Sequence, residues 1–290
     1  MVLLPRFHLA EIEDQSWCPS WLREHSHLAL AQMWRSNASE KGPPAAQACD
    51  LLMENLPDTS SFTFVDACAG AGGPTPVLEA RLNEKLLAQG KGPVKFILTD
   101  LYPHLSAWEK IVKRSENISY IEEPVDATAA KKLTGPNEKE CRIFNLCYHH
   151  FDDPLAGKVL RSAVESADAF VIHEMTYRNF SAFMNTSIVI LSPFITTMLW
   201  FWNSPMHLFF TYLIPLVPLF YAIDGYVSCI RTRTPKEIDD LLLREPGLDL
   251  SEWEFKSGER LVLPPFGYLY WYVGVKKTKR TSQALVEHSS

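Results

Sequence analysis

Charge is absent from 45 consecutive residues of this 290-residue chain: between Arg178 and Asp224 there is no Asp, Glu, Lys or Arg. A stretch without a charged face belongs in a bilayer or in the protein interior. The six cysteines, at 18, 49, 68, 141, 147 and 229, form no C-x-x-C pair and no Cys/His cluster. Their spacing therefore indicates neither a metal site nor a disulfide framework, and it points to a reduced, cytosol-facing compartment. No lysine–arginine stripe with interleaved aromatics occurs, and the formal charge is −6, so nucleic acid is not an expected partner. The apolar run at the N-terminus is too short for a signal peptide and is soon interrupted by charge. No internal repeat stands out.

What is present begins with Phe62-Thr-Phe-Val-Asp-Ala-Cys-Ala-Gly-Ala-Gly-Gly-Pro-Thr-Pro76. Strand character ends on Asp66, a glycine turn follows, and a helical pattern covers 77–87. Glycines let the backbone approach a ligand closely, and the free N–H groups of a helix start point towards it. The dinucleotide fingerprint G-x-G-x-x-G is not completed, because its third glycine position holds Thr75. Further strand candidates lie at 94–100, ending on Asp100, and at 119–126, ending on Asp126. Two more lie at 142–153, continuing into a loop, and at 167–174, ending on Glu174. In a doubly wound sheet the end of the second strand lies beside the first βα turn, where a carboxylate can accept from ribose hydroxyls.

The stretch Asp66-Ala-Cys-Ala-Gly-Ala-Gly72 resembles motif I of the class I S-adenosylmethionine (SAM)-dependent methyltransferases, D-x-G-x-G-x-G, with Cys68 in place of the first glycine. Together with Thr-Asp-Leu-Tyr-Pro-His104, Glu-Pro-Val-Asp-Ala-Thr128 and His-His-Phe-Asp-Asp153, it is similar to a little-described bacterial and fungal family of that class. The resemblance covers nearly the whole chain. It implies an α/β fold, a Rossmann-like seven-stranded sheet with helices on both faces, and SAM as cofactor. The cofactor-binding residues it implies are Asp66, Cys68, Ala69, Gly70 and Gly72 at the corner, Asp100 and Leu101 at the ribose, Asp126 and Ala127 near the adenine, and Asn145 in motif IV. It implies no particular substrate. Candidates for taking a proton from an acceptor follow the fourth strand: Tyr148, His149 and His150. Asp152 or Asp153 is expected to cap the helix beginning at Pro154. Glu174 is expected to face the site and His173 the opposite face of its strand.

Five regions are expected: an N-terminal helical cap (1–58), the SAM-binding core with strands one to five (59–178), an apolar helical hairpin (179–230), the rest of the core (231–276) and a polar tail (277–290). Helices are read at 25–35 and 45–56, and strands six and seven at 253–258 and 268–275. Thr234, Pro235 and Glu237 form a capping box. Lys276, Lys277, Lys279 and Arg280 are candidates for touching a membrane surface.

The hairpin consists of apolar runs at 188–202 and 208–223, with a turn at 203–207. Each run is about 15 residues, short of the ~20 that span a bilayer. Core strands on both sides of the insertion share one sheet, so a single crossing is excluded. Two readings remain: a hairpin dipping into one leaflet through 186–223, or a soluble cap over the site. Arg178, Arg231, Arg233 and Lys236 are expected to suit an anionic cytosol-facing surface. The expected function is methyl transfer, O- ahead of C-, to a lipophilic small molecule of secondary, lipid or quinone metabolism. Alternatives are a SAM-binding protein that catalyses cyclisation or rearrangement without methylation, and a membrane-associated binder that is not an enzyme.

Overall fold

A computed structural model describes residues 1–37 and 39–277. Lys279 and Arg280 lie outside the described residues. The sheet is built from β1 (Phe62–Ala67), β2 (Phe96–Thr99), β3 (Ile118–Tyr120), β4 (Lys139–Asn145), β5 (Ala169–Glu174), β6 (Trp253–Leu263) and β7 (Gly267–Lys276). Their order is β3-β2-β1-β4-β5-β7-β6. The first five are parallel, whereas β7 runs antiparallel to both β5 and β6. This is the α/β sheet that the resemblance implies.

Central strands of a parallel sheet are covered on both faces, so they are apolar without strict alternation. β5 is buried at every position, and β1 at all but Thr63. On one face, Phe62, Phe64, Ile143 and Val171 meet α2 (Pro44–Asn55), α3 (Thr75–Ala88) and Trp108 of α4 (Leu105–Val112). On the other, Phe144, Phe170 and Tyr272 meet α5 (Asp153–Ser166) and α10 (Pro235–Arg244). Asp152 caps α5 by accepting from the Leu155 amide, and the Thr234–Glu237 capping box starts α10.

Several boundaries differ from the sequence reading. The third strand stops at Tyr120 and does not reach Asp126, since Pro124 has no N–H to give a ladder. The sixth strand runs on through Gly258, above which the Trp271 ring packs where a Cβ would be. Within residues 1–58, α1 (Ser20–Arg35) packs its Leu22 against Val217 and Phe220 of the insertion and its Trp34 into the main core, to which α2 also belongs.

The insertion is helical but broken: α6 (Phe180–Val189), α7 (Pro193–Trp200), α8 (Pro205–Leu208), a π-helical turn (Phe209–Leu213) and α9 (Leu216–Arg231). Pro193 and Pro205 sit in the first turn of their helices, where no N–H is needed. Thus the expected turn at 203–207 is half helix. The first arm, Phe180–Trp200, covers 21 residues, because Asn179 caps it early. Two of its uncharged polar side chains bond to α9, Thr186 to Cys229 and Ser187 to Tyr226. That arm is long and apolar enough to cross a membrane by length and composition. The second arm bends by 71° between Leu213 and Leu216.

Three of the arginines expected at a membrane surface are buried. Arg178 donates to the carbonyls of Leu4 and Thr232 and pairs with Glu237. Arg231 and Arg233 hold the loop after β4. A guanidinium with five donors satisfies several loop carbonyls at once, which explains their burial. Lys236 alone of the four is exposed.

Candidate functional site

The glycine corner sits at the C-terminal edge of β1. Cys68 has φ +62°, the left-handed conformation that glycine adopts without cost, which accounts for the glycine of the motif at this place. Gly70, Gly72 and Gly73 also have positive φ, and nothing lies within 4 Å of where a Cβ on Gly70 or Gly73 would stand. At Gly72 a Cβ would run into Ile111 Cδ1.

Side chains from neighbouring elements fix this turn. The Gly70 amide donates to Asp100 Oδ2 at 2.8 Å, the Trp108 indole donates to the Gly70 carbonyl at 2.8 Å, and the Ala69 amide donates to Thr99 O at 2.9 Å. Asp100 Oδ1 accepts from the Tyr102 amide. The Val125 amide donates to the Asp100 carbonyl, which carries Asp126 to the same edge. Asp126 is exposed and accepts from the Thr128 amide, while Leu101 lies exposed beside Asp100. Cys68 and Ala127 border a gap of about 10 Å³ together with Thr99 and Val125.

Asp66 lies beneath this edge, 1% exposed. Its carboxylate accepts from the Thr75 hydroxyl and from Asn145 Nδ2, and Asn145 Oδ1 accepts in turn from His173 Nδ1. Thr75, which broke the dinucleotide pattern, thus ties the start of α3 to β1. Burial is the main cause that pushes the Asp66 carboxyl up to about 7, against those hydrogen bonds and with help from the charge of Asp100. Burial likewise pushes His173 down to about 4.

Across the sheet edge, the loop after β4 presents the two histidines. His149 receives two contacts from Glu174: its amide donates to Oε1 at 3.0 Å, and its Nδ1 lies 2.8 Å from Oε2. His150 Nδ1 lies 2.8 Å from Asp14 and 3.4 Å from Glu11. Burial would lower the His150 pKa, but the Asp14 hydrogen bond and the charges of Glu11 and Asp14 outweigh it and raise it to about 9. Arg231 closes the cluster by donating to the carbonyls of His149 and His150 and to Asp14. Glu174 and His173 do face opposite sides of β5, one towards His149 and the other towards Asn145.

Tyr148 is not part of this arrangement, and that expectation is corrected. Its ring is 2% exposed inside the α5 core and its hydroxyl donates to the Ala156 carbonyl. Burial pushes its phenol pKa up, away from service as an acid or base.

Sequence reasoning missed Glu11, Asp14, Arg231 and Trp108 as site residues. It also missed the meeting of Cys68 and Cys147 at the ends of β1 and β4, where the Cys147 thiol donates to the Ala67 carbonyl. The signal for the pair was its matching position after two strands that proved adjacent; the N-terminal acids gave none. A cavity of about 260 Å³ opens on the far side of Glu174, lined by Tyr177, Arg233, Glu259 and Tyr270 among others, and does not include the glycine corner. Arg233 Nε is buried there with no hydrogen-bond partner.

No protein-family model matches the chain, and no curated protein matches it. Among solved structures it is similar to the CMeT domain of the citrinin polyketide synthase, at 13% identity and TM-score 0.45, covering 80% of this chain and 52% of that one. It is also similar to magnesium protoporphyrin IX methyltransferase from Synechocystis with bound SAM, at 10% identity and TM-score 0.42, covering 93% of this chain and 100% of that one. A SAM-dependent methyltransferase from Aquifex aeolicus aligns at 13% identity and TM-score 0.44, over 89% of this chain and 98% of that one. The strand order and register above, not these likenesses, define the fold.

Proposed function

We propose that this chain is a SAM-dependent methyltransferase that acts on a small lipophilic acceptor at the cytosol-facing surface of a membrane. The observation that carries the reading is the corner itself. Open left-handed glycines lie at a helix start, beside an acid at the end of the adjacent strand, in a sheet ordered 3-2-1-4-5-7-6. The open faces of Gly70 and Gly73 leave room for the methionine end of SAM, and Asp100 keeps lone pairs for ribose hydroxyls. Exposed Leu101 and Asp126 suit the adenine ring and its amino group. Bound SAM supplies a methyl group on a good leaving group, so the chain's task is to orient the acceptor and exclude water.

His149 and His150 stand at the acceptor end. His149 is oriented by Glu174 and suits an acceptor that must lose a proton, which favours O-methylation over C-methylation.

Exposed apolar side chains on the insertion support membrane contact and a greasy acceptor. Ile195, Leu199, Trp202 and Leu213 are each 65–72% exposed, with Leu191, Met198 and Ile214 also exposed on the same arms. Monomeric soluble proteins rarely show so large an apolar surface.

Calorimetry with SAM, followed by product analysis with lipid-extract acceptors, tests the chemistry. A mass gain of one methylene with release of S-adenosylhomocysteine is expected. An isomeric product would replace this reading with cyclisation or rearrangement, and absence of SAM binding would end it. Flotation with anionic vesicles tests the surface: the wild type should float, and a variant with Ile195, Leu199, Trp202 and Leu213 changed to Ser should not.

A further inference from the structure

Beyond methyl transfer, we propose that Glu11, His149 and His150 form a binding site for one divalent transition-metal ion of the zinc type. One ligand atom from each of the three lies within 4.8 Å of the others. Glu11 Oε1 is 3.8 Å from His149 Nε2, and Glu11 Oε2 is 3.4 Å from His150 Nδ1. Metal–ligand bonds of about 2.0–2.2 Å place tetrahedral ligands roughly 3.3–3.6 Å apart. Each imidazole nitrogen thus stands within a few tenths of an ångström of that separation from one of the two Glu11 oxygens, and binding of an ion draws the set together. Two imidazoles and one carboxylate make a donor set suited to a borderline divalent ion.

Three further features distinguish this cluster from a chance gathering of polar groups. First, Glu174 holds His149 through Nδ1 at 2.8 Å, and this leaves Nε2 directed to Glu11. A carboxylate on the far nitrogen is the usual support of a metal-binding histidine. Second, the carboxylate of Asp224 accepts from the amides of Ile12 and Glu13 at 2.7 and 2.9 Å, and so fixes the backbone that carries Glu11. Third, Arg231 and the Ser228 hydroxyl engage Glu11 Oε1, which leaves Glu11 Oε2 as the open oxygen towards His150. Arg231 Nη1 touches Asp14 Oδ2 and Glu11 Oε1, whereas Asp14 Oδ1 and Glu11 Oε2 face His150. A divalent ion would displace the proton shared between His150 and Asp14; Glu11, Asp14 and Glu174 against Arg231 then leave an excess of two negative charges. Asp14 Oδ1 is hydrogen-bonded to His150 Nδ1 at 2.8 Å, a contact that a bound ion replaces. Glu11 and His149 are buried, while the His150 side chain is 33% exposed, which provides an entry path.

An ion here would lie beside the proposed acceptor position and would polarise an acceptor oxygen, lowering its proton affinity, in place of proton removal by His149, whose Nε2 it would occupy. That consequence rests on the methyl-transfer reading; the binding of the ion does not.

The test titrates the metal-free full chain with zinc(II) by calorimetry and with cobalt(II) by absorption. One equivalent should bind, with cobalt ligand-field bands and no sulfur-to-cobalt charge-transfer band, which sets the site apart from the Cys68–Cys147 pair. Glu11→Gln and His149→Gln should each weaken binding more than tenfold. Glu174→Gln, acting through His149, should weaken it about 10–100-fold. His207→Gln, remote from the cluster, should change nothing. Thermal melting checks that each variant folds, and His150→Gln replaces any that does not. Failure to bind one equivalent, or wild-type affinity in Glu11→Gln and His149→Gln, overturns the proposal. SAM affinity is measured in parallel with chelator present. SAM binding without metal binding rejects the metal site alone, and metal binding without SAM binding rejects the methyltransferase alone.

Discussion

At the glycine corner, the contacts join residues of the same βα unit or of the next one: Thr75 to Asp66, Gly70 to Asp100 and Trp108 to Gly70 are 9, 30 and 38 positions apart. At the histidine end, Asp14 meets His150 across 136 positions, and Arg231 meets Asp14 across 217. The first region is shaped by backbone turns and the hydrogen bonds that fix them. The second is a cluster of buried charges contributed by the N-terminal segment, the loop after β4, β5 and the last turn of α9. The histidine end, proposed above as the acceptor end, is joined to the apolar insertion through Arg231 at the end of α9.

If the two ends are independent in this way, variants at one should spare the other. Arg231→Ala should have the largest effect. It strands Glu11 and Asp14 and frees two loop carbonyls, at a cost of about 3–5 kcal/mol in urea unfolding. SAM affinity of the folded fraction should stay within about threefold of wild type, since less than ~0.7 kcal/mol would reach the corner; a parallel loss would break the comparison. Gly72→Ala places a methyl against Ile111 at φ +99° and should destabilise by about 2–3 kcal/mol while abolishing measurable SAM binding. Asp100→Asn removes a charged acceptor and should weaken SAM binding about 10–100-fold, or roughly 1.5–3 kcal/mol, without lowering the melting temperature by more than a few degrees. Unchanged affinity would refute the ribose assignment.

The effect of Asp66 is read as a slope against pH. Because Asp66 sits at about 7 in the folded chain, against 3.8 ordinarily, the folded state holds its proton more tightly than the unfolded state between those values. The wild type should therefore lose stability relative to Asp66→Asn as pH rises from about 4 to about 7, by at most ~1.4 kcal/mol per pH unit, and then level off. A difference that stays flat across that window would show that Asp66 ionises freely.

The parallel core was legible in the residues wherever local chemistry decides. Strand-to-acid endings at Asp66, Asp100 and Glu174 mark the C-terminal edge of the sheet, and the capping box at Thr234 marks the start of α10. Reading went astray where long-range packing decides. The third strand ends at Tyr120, short of Asp126, the insertion is broken into short helices, and the arginines flanking it are buried. Tyr148, adjacent in sequence to His149, turns into the α5 core instead of the cleft.

By itself the sequence determined the glycine corner, the order of the strand-forming segments and the uncharged character of residues 179–223. These follow from backbone conformational preference and from the water-avoidance of apolar side chains, both properties of short stretches. Only the tertiary structure decided that Glu11 and Asp14 reach His149 and His150, that Glu174 orients His149, and that Arg231 is buried among them. Buried charges are held by partners, and no local pattern names a partner that lies across the whole chain.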